Sequence, residues 1–185
     1  MGVDLMSKEA LLIVDMSNDF VDLEGPLNVG EAGLAIVPYI RNLADKFLKD
    51  DKYVVISMDD HAPDDKHFDS WPVHNVTGSK GQELYGELKE WYDENKDNDH
   101  IIYSMKENYN AFFKTGLEDE LRKRDVDTVH IVGVATDICV FLTASGADAY
   151  GFKTVIHKRG VATFTDQQES GLEHMQRCFH SEIIE

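Results

Sequence analysis

Cys139 closes the segment Gly133-Val134-Ala135-Thr136-Asp137-Ile138-Cys139, which follows an apolar run at 128–132 and precedes a helical pattern. A cysteine at a strand-to-helix turn meets free backbone N–H groups and the positive end of a helix dipole, which lower a thiol pKa and can hold an oxyanion. Asp15, directly after the apolar run 10–14, carries a carboxylate able to take the thiol proton. Lys106, after the run 101–103, carries the charge to stabilise carboxylate and thiolate alike. A second cluster lies in the stretch 59–74. Asp59 and His61 stand two residues apart, both able to face one cation from an extended segment, and His67 and His74 follow. Three imidazoles and a carboxylate suit zinc, manganese or iron(II), with room left for water or substrate.

These groups matter only if the chain brings them together, and its pattern predicts that it does. Short apolar runs at 10–14, 53–57, 101–103, 128–132 and 154–156 have the length of buried strands. Helical spacing alternates with them. Val37, Ile40, Ala44, Phe47 and Leu48 repeat between the first two runs, with Pro38 expected in the first turn, and Leu84, Leu88 and Trp91 precede the third. Thr115 is expected to cap a helix carrying Leu117 and Leu121, with Glu118 at the capping-box offset. A helix over about 138–150, ended by Gly151, and another over about 166–179 complete the series. Strand–helix alternation along the whole chain predicts an α/β three-layer sandwich, a mostly parallel sheet with helices on both faces, formed by residues 1–185 as one domain. In such sheets ligands bind beyond the carboxyl ends of the strands, where Asp15, Asp59, Lys106 and the Cys139 segment all fall.

Composition narrows the function. The chain of 185 residues has 35 acidic and 18 basic side chains, a net charge of −17. A surface so negative repels phosphate backbones and anionic lipid, so neither nucleic acid nor membrane is expected as a partner, leaving a small molecule. No apolar run approaches the roughly 18 residues of a membrane span. Two cysteines cannot build a disulfide framework, and residues 1–6 lack the pattern of a signal peptide; both point to a reducing, cytoplasmic setting.

Three pieces together resemble the isochorismatase-like cysteine hydrolases, and within them the nicotinamidases: Ile13-Val14-Asp15-Met16-Ser17-Asn18-Asp19-Phe20, the loop from Asp59-Asp60-His61 to Trp71-Pro72-Val73-His74, and Gly133-Val134-Ala135-Thr136-Asp137-Ile138-Cys139-Val140. The last is the most specific. The resemblance implies a catalytic triad of Asp15, Lys106 and Cys139. It implies a cis peptide at Val134–Ala135 that turns the Ala135 N–H, with that of Cys139, towards an oxyanion. Asp59, His61 and His74 would be metal ligands, with His67 a fourth found in some members. Phe20, Trp71 and Tyr109 fall where aromatic residues line a pyridine pocket. Val73 departs from the family pattern, where a second proline is common, and Asp60 adds a charge inside the metal motif. The activity implied is hydrolysis of nicotinamide to nicotinate and ammonia, with pyrazinamide also accepted and one divalent metal, zinc before manganese or iron. Two alternatives stay open at this point: a sibling amidohydrolase of another small amide or carbamoyl compound, and a non-catalytic ligand-binding protein. Members of this fold often associate, so a homo-oligomer is also open.

Overall fold

The computed structural model describes residues 8–185. Six parallel strands form one sheet: β1 (Lys8–Val14), β2 (Tyr53–Asp59), β3 (Ile101–Lys106), β4 (Val126–Val134), β5 (Lys153–Ala162) and β6 (Glu182–Ile184). Their spatial order is β3-β2-β1-β4-β5-β6. The chain winds outwards in one direction through β2 and β3, then returns to the other side of β1 with β4. The switch in winding therefore lies between β1 and β4, where open parallel sheets leave a crevice.

Side-chain alternation along the strands builds a core on each face. Ala10, Leu12 and Val14 point to one side, where they meet Leu117 and Leu121 of α4 (Leu117–Arg122), Ala144 and Ala147 of α5 (Phe141–Ala149), and Leu172 and Met175 of α6 (Gln168–Cys178). Leu11 and Ile13 point to the other. There Val37, Ile40, Ala44 and Phe47 of α2 (Glu31–Lys49) and Leu88 and Trp91 of α3 (Gly86–Asn95) cover them. A short helix, α1 (Asn18–Val21), follows β1 directly. The three-layer α/β arrangement is thus the one expected from the strand–helix pattern, and every strand pairing is parallel. No helix among the described residues is long and apolar enough to cross a membrane.

Local expectations are corrected in several places. α2 begins at Glu31, so Pro38 lies inside the helix rather than in its first turn. The missing N–H there costs one helical hydrogen bond, which the apolar stripe of this 19-residue helix, buried along its length, offsets. Gly116, in the left-handed region at φ 74°, holds the N-cap position of α4 that Thr115 was expected to fill. Thr115 stands one residue outside, its hydroxyl accepting from the Leu117 N–H at 3.3 Å, and Glu118 reaches forward to Arg122 instead of back to the cap. The helix expected over 138–150 opens with a π-helical turn, Thr136–Val140, before α5. β5 runs six residues beyond Ile156, through the charged pair Lys158-Arg159, because a register shift lets it rejoin β4 at Val161. β6 was not foreseen; three residues carry too little pattern to read.

Candidate active site

Asp15, Asp59, Lys106 and the Cys139 turn sit at or just past the carboxyl ends of β1, β2, β3 and β4. Asp15 follows β1 at φ 54°, a backbone region that non-glycine residues rarely adopt. That conformation is held by a hydrogen bond from the Asp15 N–H to the Ser57 carbonyl at 2.9 Å. It turns the carboxylate across the sheet edge. Asp15 Oδ1 accepts from the Asp59 N–H at 2.9 Å and Oδ2 from Lys106 Nζ at 2.8 Å. Lys106 pairs in register with Asp59 across β2 and β3, and its ammonium also contacts Asp59 Oδ1. Neither the Lys106 nor the Asp15 side chain has any solvent exposure.

Cys139 arrives from the other side of the switch point. β4 approaches β1 so closely at Gly133 that a β-carbon there would lie 2.0 Å from the Val14 carbonyl oxygen, and its φ of 113° also favours glycine. The Val134–Ala135 peptide is cis, as the resemblance implied. The π-helical turn then places Cys139, buried, near enough to Asp15 and Lys106 for their charges to act on its thiol.

The electrostatics follow from burying four ionisable groups together. Burial and the charge of Asp59 raise the Asp15 pKa to about 6 against the pull of Lys106. Burial alone would also raise Asp59, but the Lys106 charge and hydrogen bond, with the His61 and His74 rings close by, hold it well below the usual carboxylate range. Burial works against the Lys106 charge, yet the two carboxylates win and keep it firmly ammonium. Burial pushes the Cys139 thiol well above its ordinary value, with Lys106 opposing. The resting arrangement is therefore a neutral thiol beside a carboxylate base, with a fixed positive charge behind both.

The imidazoles of His61, His67 and His74 converge, their ligand atoms within 4.8 Å of one another. His61 and His67 stack at 4.5 Å between ring centres. Outer partners fix two rings from behind: His61 Nδ1 lies 2.9 Å from Asp65 Oδ2, and His74 Nδ1 lies 2.7 Å from the Pro72 carbonyl. Both Nε2 atoms face Asp59 Oδ2 at 3.7 Å. The buried His61 Nε2 has no hydrogen-bond partner among the described residues. A buried nitrogen left unpartnered, in a group of imidazoles whose other nitrogens are anchored, is the donor set of a divalent metal site. Asp59 spans the two halves, one oxygen towards Lys106 and the other towards the histidines.

One pocket joins these halves. Cys139, Ala135, Asp59, His67 and His74 line it, and Phe20, Trp71 and Tyr109 form aromatic walls. Trp71 Nε1 donates to the Tyr109 hydroxyl at 2.9 Å, locking two of those walls together. All twelve residues singled out in the sequence are thus brought to one place, with Asp15, His61, Lys106 and Val134 buried outside the lining itself.

Among the contributors not foreseen, besides Leu27 and Val29 of the pocket lining, two stand out. Asn75, at φ 43°, accepts from Ser17 Oγ at 2.8 Å while its N–H donates to Asp19 Oδ2 at 2.7 Å, so it pins the loop behind His74 to the loop after β1. Phe164, just past β5, lines the pocket mouth. The strand-end rule would have pointed to it had β5 been read to its true end at Ala162.

Comparison with known proteins came out consistently. Residues 9–184 match the isochorismatase domain family. The chain is 32% identical to the nicotinamidase/pyrazinamidase of Mycobacterium tuberculosis, with 90% of this chain and 94% of that protein covered. Among solved structures it superimposes on nicotinamidase/pyrazinamidase PncA from Bacillus subtilis with a TM-score of 0.94, at 37% identity and covering 96% of this chain and all of that one. The pyrazinamidase of Pyrococcus horikoshii in complex with zinc matches with a TM-score of 0.85, at 29% identity over 96% of this chain and 99% of the other.

Proposed function

This chain belongs to the isochorismatase family, and on that premise we propose that it is a nicotinamidase, a metal-dependent cysteine amidohydrolase converting nicotinamide and water to nicotinate and ammonia. The observation that carries the reading is the single pocket lined by a thiol, imidazoles and aromatic rings, with a buried carboxylate–ammonium pair close behind the thiol. A flat heteroaromatic amide fits that chemistry at both ends. Its ring nitrogen meets the histidines while its carboxamide meets Cys139. A binding protein would have no use for a buried acid–base pair beside a thiol.

His61, His67 and His74, with Asp59 beside them, would hold the divalent metal, and zinc suits three imidazoles with an open position. When bound, the metal would supply Lewis acidity towards a ring nitrogen of the substrate. The chain's own groups then do the covalent work. Asp15 takes the Cys139 proton, and the thiolate sulfur attacks the carboxamide carbon. Lys106 balances the negative charge that would otherwise gather around Asp15 and the sulfur. The N–H groups of Ala135 and Cys139 stabilise the tetrahedral oxyanion in this reading. As the C–N bond breaks, Asp15 passes its proton to the departing nitrogen, and ammonia leaves behind a thioester. Asp15 next takes a proton from water as it attacks the thioester carbon, and returns it to the leaving sulfur when nicotinate is released. Pyrazinamide, with a ring nitrogen in the same relation to its carboxamide, follows the same path. A reducing, cytoplasmic setting fits a nucleophilic cysteine, and both cysteines are free.

The decisive test is ammonia release from nicotinamide, pyrazinamide, benzamide and small carbamoyl compounds, before and after chelation. Fast turnover of the two ring-nitrogen amides, lost with the metal, is expected. Equal rates on benzamide, or no effect of chelation, would demote the protein to a general amidohydrolase.

A further inference from the structure

The turn that carries Cys139 is tied by side chains to the loop after β5. Asp137, two residues before the cysteine, accepts from Thr163 Oγ1 at 2.6 Å with one oxygen and from Thr165 Oγ1 at 2.8 Å with the other. Those threonines flank Phe164. The loop is further knotted on itself, since the Thr165 N–H donates to Thr163 Oγ1 at 3.3 Å and the Gln167 N–H to Thr165 Oγ1 at 3.1 Å. The neighbouring residue, Thr136, repeats the tie: its hydroxyl donates to Gln168 Oε1 at 2.6 Å, and Gln168 Nε2 donates to the Val161 carbonyl at 3.1 Å. Phe164 is 51% exposed, with its ring at the pocket mouth. No apolar core holds an aromatic ring so exposed. Its position is set by the backbone on either side, and that backbone is held by Asp137.

We propose that Phe164 is the specificity-determining wall of the pocket and that Asp137 is the residue that positions it, through the paired hydroxyls of Thr163 and Thr165. The inference rests on the nicotinamidase reading for its substrates, but not for its geometry. A bidentate carboxylate gripping the two hydroxyls that flank the ring ties it directly to the nucleophile's own turn, so the gap between Phe164 and Cys139 depends on that side chain. A single flat heteroaromatic ring passes this gap. A fused bicyclic amide, such as quinoline-3-carboxamide, meets the phenyl ring. Asp137 touches neither substrate nor sulfur, so its effect must appear in selectivity and access rather than in the chemical step.

The test uses the metal-loaded protein with Cys178, exposed on α6, replaced by serine. Phe164→Ala should raise KM for nicotinamide about fivefold with kcat within twofold, and shift the kcat/KM ratio towards quinoline-3-carboxamide at least tenfold. The Thr163→Val/Thr165→Val double variant, which keeps Asp137, should reproduce most of that shift; Asp137→Asn, still able to bond both hydroxyls, should largely restore the wild-type ratio that Asp137→Ala loses. Alkylation of Cys139 by iodoacetamide, followed by mass spectrometry, gives a readout independent of the substrate. It should be several-fold faster in Phe164→Ala and in the double variant. An unchanged ratio and alkylation rate in Phe164→Ala would overturn the proposal. So would a loss of kcat in Asp137→Ala with the double-threonine variant unchanged, because Asp137 would then act on the cysteine turn alone. If the wild-type protein fails to hydrolyse nicotinamide while Phe164→Ala still speeds alkylation, the activity is wrong and the wall stands.

Discussion

Lys106 Nζ and Asp15 Oδ2 lie 2.8 Å apart, 91 positions distant in the chain, and neither side chain reaches solvent. Lys106 also contacts Asp59, so one buried cation serves two buried carboxylates. Removing one member of such a group leaves charge uncompensated in a low-dielectric interior. Lys106→Met should therefore cost about 3–5 kcal/mol of stability, read as a lower urea midpoint, along with nearly all activity. Asp15→Asn added to Lys106→Met should recover part of the stability and none of the activity. Equal midpoints for Lys106→Met and wild type would mean that the pair contributes nothing to the fold.

Cys139→Ala removes the sulfur and little volume. The variant should fold with a wild-type circular dichroism spectrum, bind zinc one to one by elemental analysis, and release no ammonia from nicotinamide. Substantial turnover would identify a different nucleophile.

Asp65 supports the candidate metal site from behind, one oxygen lying 2.9 Å from His61 Nδ1 and the other accepting from the His67 N–H at 2.8 Å. Asp65→Asn can keep the turn and lose the charge that raises the basicity of His61. Zinc affinity, measured by competition with a chromophoric chelator, should fall about 10–100-fold, with the unfolding midpoint of the metal-free protein unchanged. His61→Ala should abolish stoichiometric zinc altogether. Wild-type affinity in both variants would remove these residues from the site.

Midway along β5, His157 is buried between Tyr39 and His130, with contacts of 2.9 Å on each ring nitrogen. Burial and the neighbouring His130 lower its pKa from 6.5 to about 4. The unfolded chain binds this proton more readily, so the native state keeps its full stability above about pH 6.5 and loses it as pH falls towards 4. At about 1.36 kcal/mol per pH unit the loss from this residue is roughly 3 kcal/mol. Urea unfolding at pH 7 and pH 4 should show a drop larger by about that amount in wild type than in His157→Gln. Parallel pH profiles would show that the ring is not held neutral.

Much of this protein was legible in one dimension, and the reasons differ by element. Buried parallel strands announce themselves as continuous apolar runs, so β1, β2, β3, β4 and the first part of β5 could be read, and the helices that cover them carry a one-sided stripe. The site was legible because an open parallel sheet places its chemistry at strand ends, which turns sequence position into spatial position. Where the signal depended on partners rather than on pattern, reading failed. β5 continues through Lys158-Arg159 only because a register shift returns it to β4; charge in the sequence suggested an end. With its last residues went Phe164. Asn75 is invisible in the same way, since its importance lies in a left-handed backbone and in bonds to Ser17 and Asp19, more than fifty residues away.

The sequence by itself determined which groups were available: a thiol at a strand-to-helix turn, acids and a lysine at neighbouring strand ends, and imidazoles spaced along one loop. Only the tertiary structure decided their states and their couplings. Whether a carboxylate is a base or a spectator depends on what it is buried against: loss of water raises and Lys106 lowers both Asp15 and Asp59, but the Asp59 charge tips Asp15 upwards while the neighbouring His61 and His74 help tip Asp59 downwards. Desolvation and Coulomb interactions act through space, so no reading along the chain could have separated the two.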